Sequence, residues 1–251
     1  MRTGWRSNSG KFHGASSRQL QLPLAWDGDL RFTRDDLLAR YLHLREISKR
    51  LHHEALELIS GDALLNQARR LGLAQGKTLL LEHMDEMYYV YDLAIYTAPP
   101  DRSRAIDRYA RSAKFDARSD ERLMLEAMQA SQFAILRIEQ RHDTVGLIAT
   151  DTLRNSKVWL LDVGLESSMD EGELIATRLL TPGPFSMTAG VNVPFEIEML
   201  EPVCRLLPQR VGNSKLSRIS EDRRFAEAVY KVGLADGVMD RLTYLDLPDR
   251  S

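Results

Sequence analysis

The residues with the most chemical potential in this chain lie in EHMDEMYYVYD, Glu82 to Asp92, which holds four carboxylates, one histidine and three tyrosines. In a helix, Glu82 and Glu86, Asp85 and Tyr89, and Tyr88 and Asp92 stand four residues apart and share a face. Such acids, joined by His53 and Glu57 from the preceding helical stretch, would be the raw material of a carboxylate-bridged metal site. Helical bundles that hold two metals build them on Glu-x-x-His pairs with the ligands three apart. Neither stretch has that pair: Glu82 directly precedes His83, and His53 is followed by Glu54 and Glu57. The pattern supplies half of a coordination set, so no metal and no cofactor is assigned. A metal site would have to be built on His53, Glu57, Glu82 and Glu86. The alternative role for the cluster is mechanical: tyrosine rings bury, and their hydroxyls meet acids or backbone at the rim of a bundle.

Other reactive side chains form no constellation. Cys204, the single cysteine, lies among Val203, Leu206 and Leu207, and no histidine follows it in the chain. It reads as a small buried hydrophobe. His52 and His53 are adjacent and so point to different faces. There is no Gly-x-Ser-x-Gly elbow and no Gly-x-Gly-x-x-Gly turn. GLAQGKT, Gly72 to Thr78, ends like a phosphate-binding loop but has three residues between its glycines where that loop has four. It also follows a helical stretch where that loop needs a strand, so it reads as a turn. No catalytic residue is assigned.

Charge points weakly to polyanions. The chain has 251 residues, 34 Lys and Arg against 36 Asp and Glu, and a net charge of −2. A nucleic-acid surface must therefore be local. Arg104, Arg108, Arg111 and Arg118 fall near one face of a helical stretch, with Asp107 inside the stripe. A second basic run, RLLPQRVGNSKLSRISEDRR, carries Arg205, Arg210, Lys215 and Arg218. The first acid of the chain is Asp27, which leaves a basic start with Arg2, Arg6, Lys11 and Arg18. Three glycines there argue for a flexible tail in preference to an amphipathic targeting helix.

These side chains have to be positioned by elements that the pattern predicts. Thr33 before Arg34-Asp35-Asp36 reads as an N-cap, and Leu37, Tyr41, Leu44, Ile47, Leu51 and Ala55 form one apolar stripe that ends at Gly61. A short helix over DALLNQARRLGL follows. A third helix is predicted from about Lys77 to Thr97, apolar on most sides, closed by Pro99-Pro100. Asp101 and Ser119 are predicted to cap a fourth and a fifth. From Gln132 the period changes to five short β-rich runs separated by turn signals, and in the first of them Phe133, Ile135 and Ile138 stand against Arg137 and Glu139 with a break in the alternation that reads as a bulge. After Pro194 helices return, one interrupted at Pro202 and one starting at Ser220. The expected class is α+β: a flexible tail over 1–30, a helical domain over 31–131, a small antiparallel β-barrel over 132–193, and C-terminal helices over 194–251 packed on the barrel or the helical domain. Residues 132–193 carry five basic and eight acidic side chains, net −3, and Phe133, Trp159 and Phe185 sit where core positions are expected. That composition does not suit a single-strand-binding groove.

Four features of the barrel region stand out: Asp151 opening the middle turn, GLESS from Gly164 to Ser168, an acid-Gly turn and strand from Gly172 to Arg178, and TAG from Thr188 to Gly190. Together they resemble a small barrel module, SH3-like or OB-like, of uncharacterised bacterial proteins in which it follows a helical segment. The resemblance covers the barrel region and implies architecture without catalytic residues. The functional expectation is a non-enzymatic binding or adaptor protein that contacts a protein or peptide partner through its barrel and helical surface. The first alternative is an RNA-binding protein using the tail, the fourth helix and the 205–224 run. The second is a metal-dependent enzyme using residues 82–92. One cysteine and no run of 18 apolar residues place the expected protein in the cytoplasm, off the membrane.

Overall fold

The computed structural model describes residues 32–208 and 216–237. The tail over 1–30, together with Arg210 and Lys215, lies outside the described residues.

Helix α1, Arg34–Glu57, begins as its sequence dictates. Thr33 Oγ1 accepts from the Asp36 backbone at 3.2 Å and the Asp36 carboxylate accepts from the Thr33 backbone, a reciprocal capping box. The apolar stripe from Leu37 to Ala55 is buried. Gly61 does not end α1; Ser60 caps α2, Gly61–Leu71, and Gly72 closes it at φ 83°. The third helix departs from expectation. A hairpin of β1, Ala74–Gln75, and β2, Thr78–Leu79, turns at Gly76, and α3 spans only Glu86–Tyr96. Arg69 holds the Gly76 carbonyl, and the Leu80 backbone donates to Leu73 at 2.9 Å. Periodicity cannot tell a short continuous apolar run such as Leu79-Leu80-Leu81 from a helix, and here long-range bonds decide it. Helix α4, Ala105–Ser112, starts after Arg104, not at Asp101. Helix α5, Asp120–Gln129, is capped by Ser119 as expected.

Five antiparallel strands follow: β3, Gln132–Arg141; β4, Leu147–Asp151; β5, Ser156–Leu160; β6, Leu174–Leu180; and β7, Met187–Phe195. Helix α6, Val163–Ser168, lies between β5 and β6. The order β5-β4-β3-β6-β7 makes one sheet. The expected break in β3 is a bulge between Ile138 and Gln140. The predicted barrel is corrected: the sheet is not closed, and its edges meet only through a bridge between Leu160 and Ser186. What replaces closure is coverage of both faces. Ala134, Leu136, Ile138, Leu147, Ala149 and Leu160 pack with Leu165 of α6. Phe133, Ile135, Ala176, Val191 and Val193 pack on the opposite side with residues of α2 and α3.

Beyond Phe195, α7, Leu200–Leu206, runs through Pro202, which sits in the first turn where its missing N–H breaks no helical bond. The expected interruption there does not occur. A short α8, Leu216–Ile219, precedes α9, Phe225–Asp236. Helix α9 begins after Arg224, not at Ser220, because Asp222 accepts from the Arg224 backbone at 2.9 Å. Its Phe225, Val229 and Tyr230 complete the core shared by helices and sheet. Among the described residues no helix is long and apolar enough to cross a membrane.

Candidate functional site

Tyr89, Asp92 and Tyr96, spaced three and four apart, form the inward stripe of α3. Opposite them, β6 presents Arg178 from within the sheet. Arg178 Nε donates to Asp92 Oδ1 at 2.6 Å and its Nη2 to Oδ2 at 2.8 Å, a two-point ion pair with Arg178 6% and Asp92 4% exposed. Tyr230 of α9 donates its hydroxyl to Asp92 Oδ2 at 2.9 Å. The guanidinium lies 4.4 Å from the centroid of Tyr96 and 5.6 Å from that of Phe133. Tyr89 stacks on Tyr230 at 4.5 Å. The line continues to α1: the Tyr96 hydroxyl is 2.8 Å from His52 Nε2, and His52 Nδ1 is 2.7 Å from the Ser48 carbonyl. A carbonyl only accepts, so Nδ1 carries the proton and Nε2 accepts from Tyr96.

The electrostatics of this line oppose proton traffic. Burial pushes the His52 imidazole down to about 4, against the Ser48 carbonyl and Asp92, which favour its charged form. Burial raises the Tyr96 and Tyr230 phenols well above their ordinary range. Burial also works against the charge of Arg178, but Asp92 outweighs it and holds the guanidinium above its ordinary value. The result is a fixed-charge clamp in which donors and acceptors consume one another.

A second polar cluster sits where β7 bulges opposite Arg178. The pairing steps from Thr177 with Asn192 to Leu179 with Thr188, and Gly190 takes φ 98°. A side chain at Gly190 would stand 3.3 Å from the Arg45 guanidinium, which donates to the Thr188 carbonyl at 2.5 Å. Thr188 Oγ1 donates to Asp162 Oδ2 at 2.7 Å, and Asp162 Oδ1 caps α6 by accepting from Leu165. The adjoining Tyr41 phenol is pushed up to about 12, first by burial and then by Asp162. Asp151 accepts from the backbone of Leu153 at 2.9 Å and pairs with Arg154 at 2.6 Å. The motifs of the strand region are thus turn, cap and bulge devices.

The residues singled out as metal candidates are not brought together. His53 and Glu57 form an exposed pair at 3.5 Å on α1. Glu82 precedes α3 and donates its backbone N–H to the buried carboxylate of Glu86 at 2.9 Å. Among the described residues no three His, Cys, Asp or Glu side chains are placed to hold a metal ion. Burial pushes the Cys204 thiol up, and its neighbour Arg205 pairs with Glu201 at 2.5 Å. Arg104 is spent on Asp107 and the Gln129 carbonyl. Arg108, Arg111, Arg118 and Arg218 are exposed. Of the aromatics that could stack bases, Phe133 and Phe185 are buried, and Trp159 stacks on His142 at 4.2 Å.

Sequence reasoning placed Leu79, Leu80 and Met84 inside a bundle helix, and the structure places them outside. Leu79 is 43%, Leu80 50%, Met84 77% and Tyr88 52% exposed. The hairpin, the loop after it and the first turn of α3 carry these four within one stretch of chain. Gly76 with the neighbouring Lys-Thr, polar and turn-forming, was the available signal that the helix starts later. Compared with known proteins, a family model matches residues 35–241, and the family is one of unknown function. No curated protein and no solved structure matches the chain.

Proposed function

The chain belongs to DUF7986, a family of unknown function, and we propose that it is a non-enzymatic binding protein that docks a protein partner on the arm formed by residues 79–88. The observation that carries this reading is the concentration of exposed large apolar side chains, Leu79, Leu80, Met84 and Tyr88, in that one arm. Exposed apolar side chains scattered singly need no explanation, but a group of them marks an interaction surface. Methionine adapts to irregular partner surfaces, and tyrosine contributes an apolar ring with a polar tip.

The charge around the arm specifies the partner further. Beyond Lys77 and Arg69 at the hairpin turn there is no lysine or arginine from Thr78 to Asp101, while Glu82 and Asp85 lie among the apolar side chains. The fitting partner is a protein segment with apolar anchors and basic neighbours. An enzymatic reading has less support, because the buried Asp92–Arg178 line offers no open acid, base or nucleophile.

The test is tagged protein recovered from the cells that make it, as wild type and as Leu80→Asp/Met84→Asp. Both substitutions are at exposed positions, so thermal unfolding should stay within about 0.5 kcal/mol of wild type. A stoichiometric protein retained by wild type and lost from the double variant supports the reading. Equal retention by both, or none by either, contradicts it.

A further inference from the structure

A second surface gathers several arginines that, among the described residues, no carboxylate neutralises. Arg108 and Arg111 lie three apart on α4 and converge on one residue: Arg108 Nη1 donates to the Ser103 carbonyl at 2.9 Å, and Arg111 Nη2 donates to the Ser103 hydroxyl at 3.0 Å. Arg108 Nη2 also reaches the Leu58 carbonyl, at the end of α1, at 3.4 Å. Among the described residues neither guanidinium has a carboxylate partner. The same holds, among the described residues, for the exposed Arg102, Lys114 and Arg118, although Asp101 and Asp116 lie in the same stretch. Elsewhere many exposed or half-buried arginines are matched, Arg40 by Asp120, Arg50 by Glu121, Arg122 by Glu126 and Arg137 by Glu139, while Arg69 and Arg141 rest singly on the carbonyls of Gly76 and Glu166. Two guanidiniums held on one serine without an anion repel each other, and a bound anion relieves that repulsion.

The fold adds a cation from far along the chain. Arg223, at the end of the second basic run, donates through Nη1 to the Ala98 carbonyl at 3.3 Å, beside the turn that leads to Ser103. Two stretches that look separate in the sequence therefore touch, at Ala98 and Arg223. No large apolar side chain is exposed between residues 98 and 118; Ile106 and Tyr109 are buried. A protein interface wants an apolar core inside its polar rim, and the single exposed Leu58, whose carbonyl Arg108 reaches, does not make one. It also lacks an exposed aromatic platform on which bases would stack.

We propose that this face binds the phosphate backbone of nucleic acid, independently of sequence, with Arg108 and Arg111 as its central contacts and Arg102, Lys114, Arg118 and Arg223 around them. Guanidinium groups suit phosphate oxygens by charge and geometry, and backbone contacts carry no sequence information. The site is separate from the apolar arm and is tested without the arm's partner.

The experiment is fluorescence anisotropy of labelled oligouridine and of a mixed-sequence DNA duplex titrated with the purified full chain between 50 and 200 mM salt. Wild type should bind both at low salt, with affinity that falls as salt rises. Arg108→Ala/Arg111→Ala should weaken binding about tenfold and flatten the salt slope for the single strand by about 1.4, that is about 0.7 per phosphate contact removed. Lys114→Ala/Arg118→Ala, whose side chains hold nothing in the fold, should weaken it in the same direction with unchanged Tm. Arg122→Ala/Arg137→Ala removes equal charge from paired arginines and should leave binding unaltered, as should Leu80→Asp/Met84→Asp. Absence of wild-type binding at 50 mM salt would overturn the proposal, as would equal losses in the paired and unpaired double variants. So would tighter binding of polyglutamate than of either oligonucleotide, which would assign the face to an acidic protein.

Discussion

At the scale of single residues, Asp92 is the member of the acidic cluster on which most depends. Removing one partner of a buried pair leaves the other charge without compensation, so Asp92→Ala or Arg178→Ala should each cost about 3–5 kcal/mol in urea unfolding. Asp92→Leu with Arg178→Met should recover part of that loss. A remainder of about 1–3 kcal/mol is expected because the Tyr230 hydroxyl loses its acceptor. His52 provides a pH signature. Its folded-state value of about 4 lies below the ordinary histidine value, so the unfolded chain binds the proton more readily. This contribution is fully present above about pH 6.5 and is lost as pH falls through 4; it amounts to at most about 3 kcal/mol, less for the part of the ring that meets water. His52→Gln should flatten the stability profile over that window, as read by Tm from pH 7 to 4. An unchanged slope would mean that other groups set it. In the sequence, Asp92 was visible as a carboxylate among tyrosines, but its face was read through Tyr88 when the working stripe is Tyr89, Asp92 and Tyr96. Its partner lies 86 residues away on a strand, and no spacing rule reaches that far.

At the scale of elements, caps and strand runs were legible, while closure and context were not. Thr33 and Ser119 act locally, so their roles follow from the residues around them, whereas the same kind of signal at Asp101 starts no helix. The bulge in β3 could be read because an alternation that slips by one residue puts side chains on the wrong face. The barrel could not be refuted from alternation, since alternation reports which face a side chain takes and not whether two edge strands pair. The two glycine-bearing turns at positive φ separate these effects. A side chain at Gly146 would stand 2.4 Å from the Leu160 carbonyl oxygen, so Gly146→Ala has to displace β5 backbone. At Gly172, φ 90°, nothing lies within 4 Å. Gly172→Ala should cost about 1 kcal/mol, the conformational term alone. Gly146→Ala should cost severalfold more, as measured by chemical unfolding. Equal costs would show that the β3–β4 turn and the β5 backbone it abuts yield more easily than their contact implies.

At the scale of the whole molecule, the inside and the outside have different roles. The polar groups with the strongest perturbations are sealed between α1, α3, α9 and the sheet, where they fix how helices sit on strands. The surfaces carry what is left over: an apolar arm with Glu82 and Asp85 among its side chains, and a cationic face that touches a single large exposed apolar residue, Leu58. The sequence contained both sets of residues but could not sort them, because Leu80 and Leu81 look alike in a string, as do Arg104 and Arg108. Only the fold shows that Arg104 is neutralised by Asp107 while Arg108 is not. A protein with these two faces would join a basic, apolar protein segment to a polyanion, and each link can be severed alone. The most direct test of the docking arm is photo-crosslinking in the cells that make the protein, with benzoylphenylalanine in place of Met84 and, as a control, in place of Leu42, another exposed apolar residue outside the arm. The account predicts a discrete adduct with one partner protein at position 84, none at 42, and its loss when Leu80→Asp is added. No adduct at 84, the same adducts at both positions, or an adduct of twice the chain's own mass would contradict it.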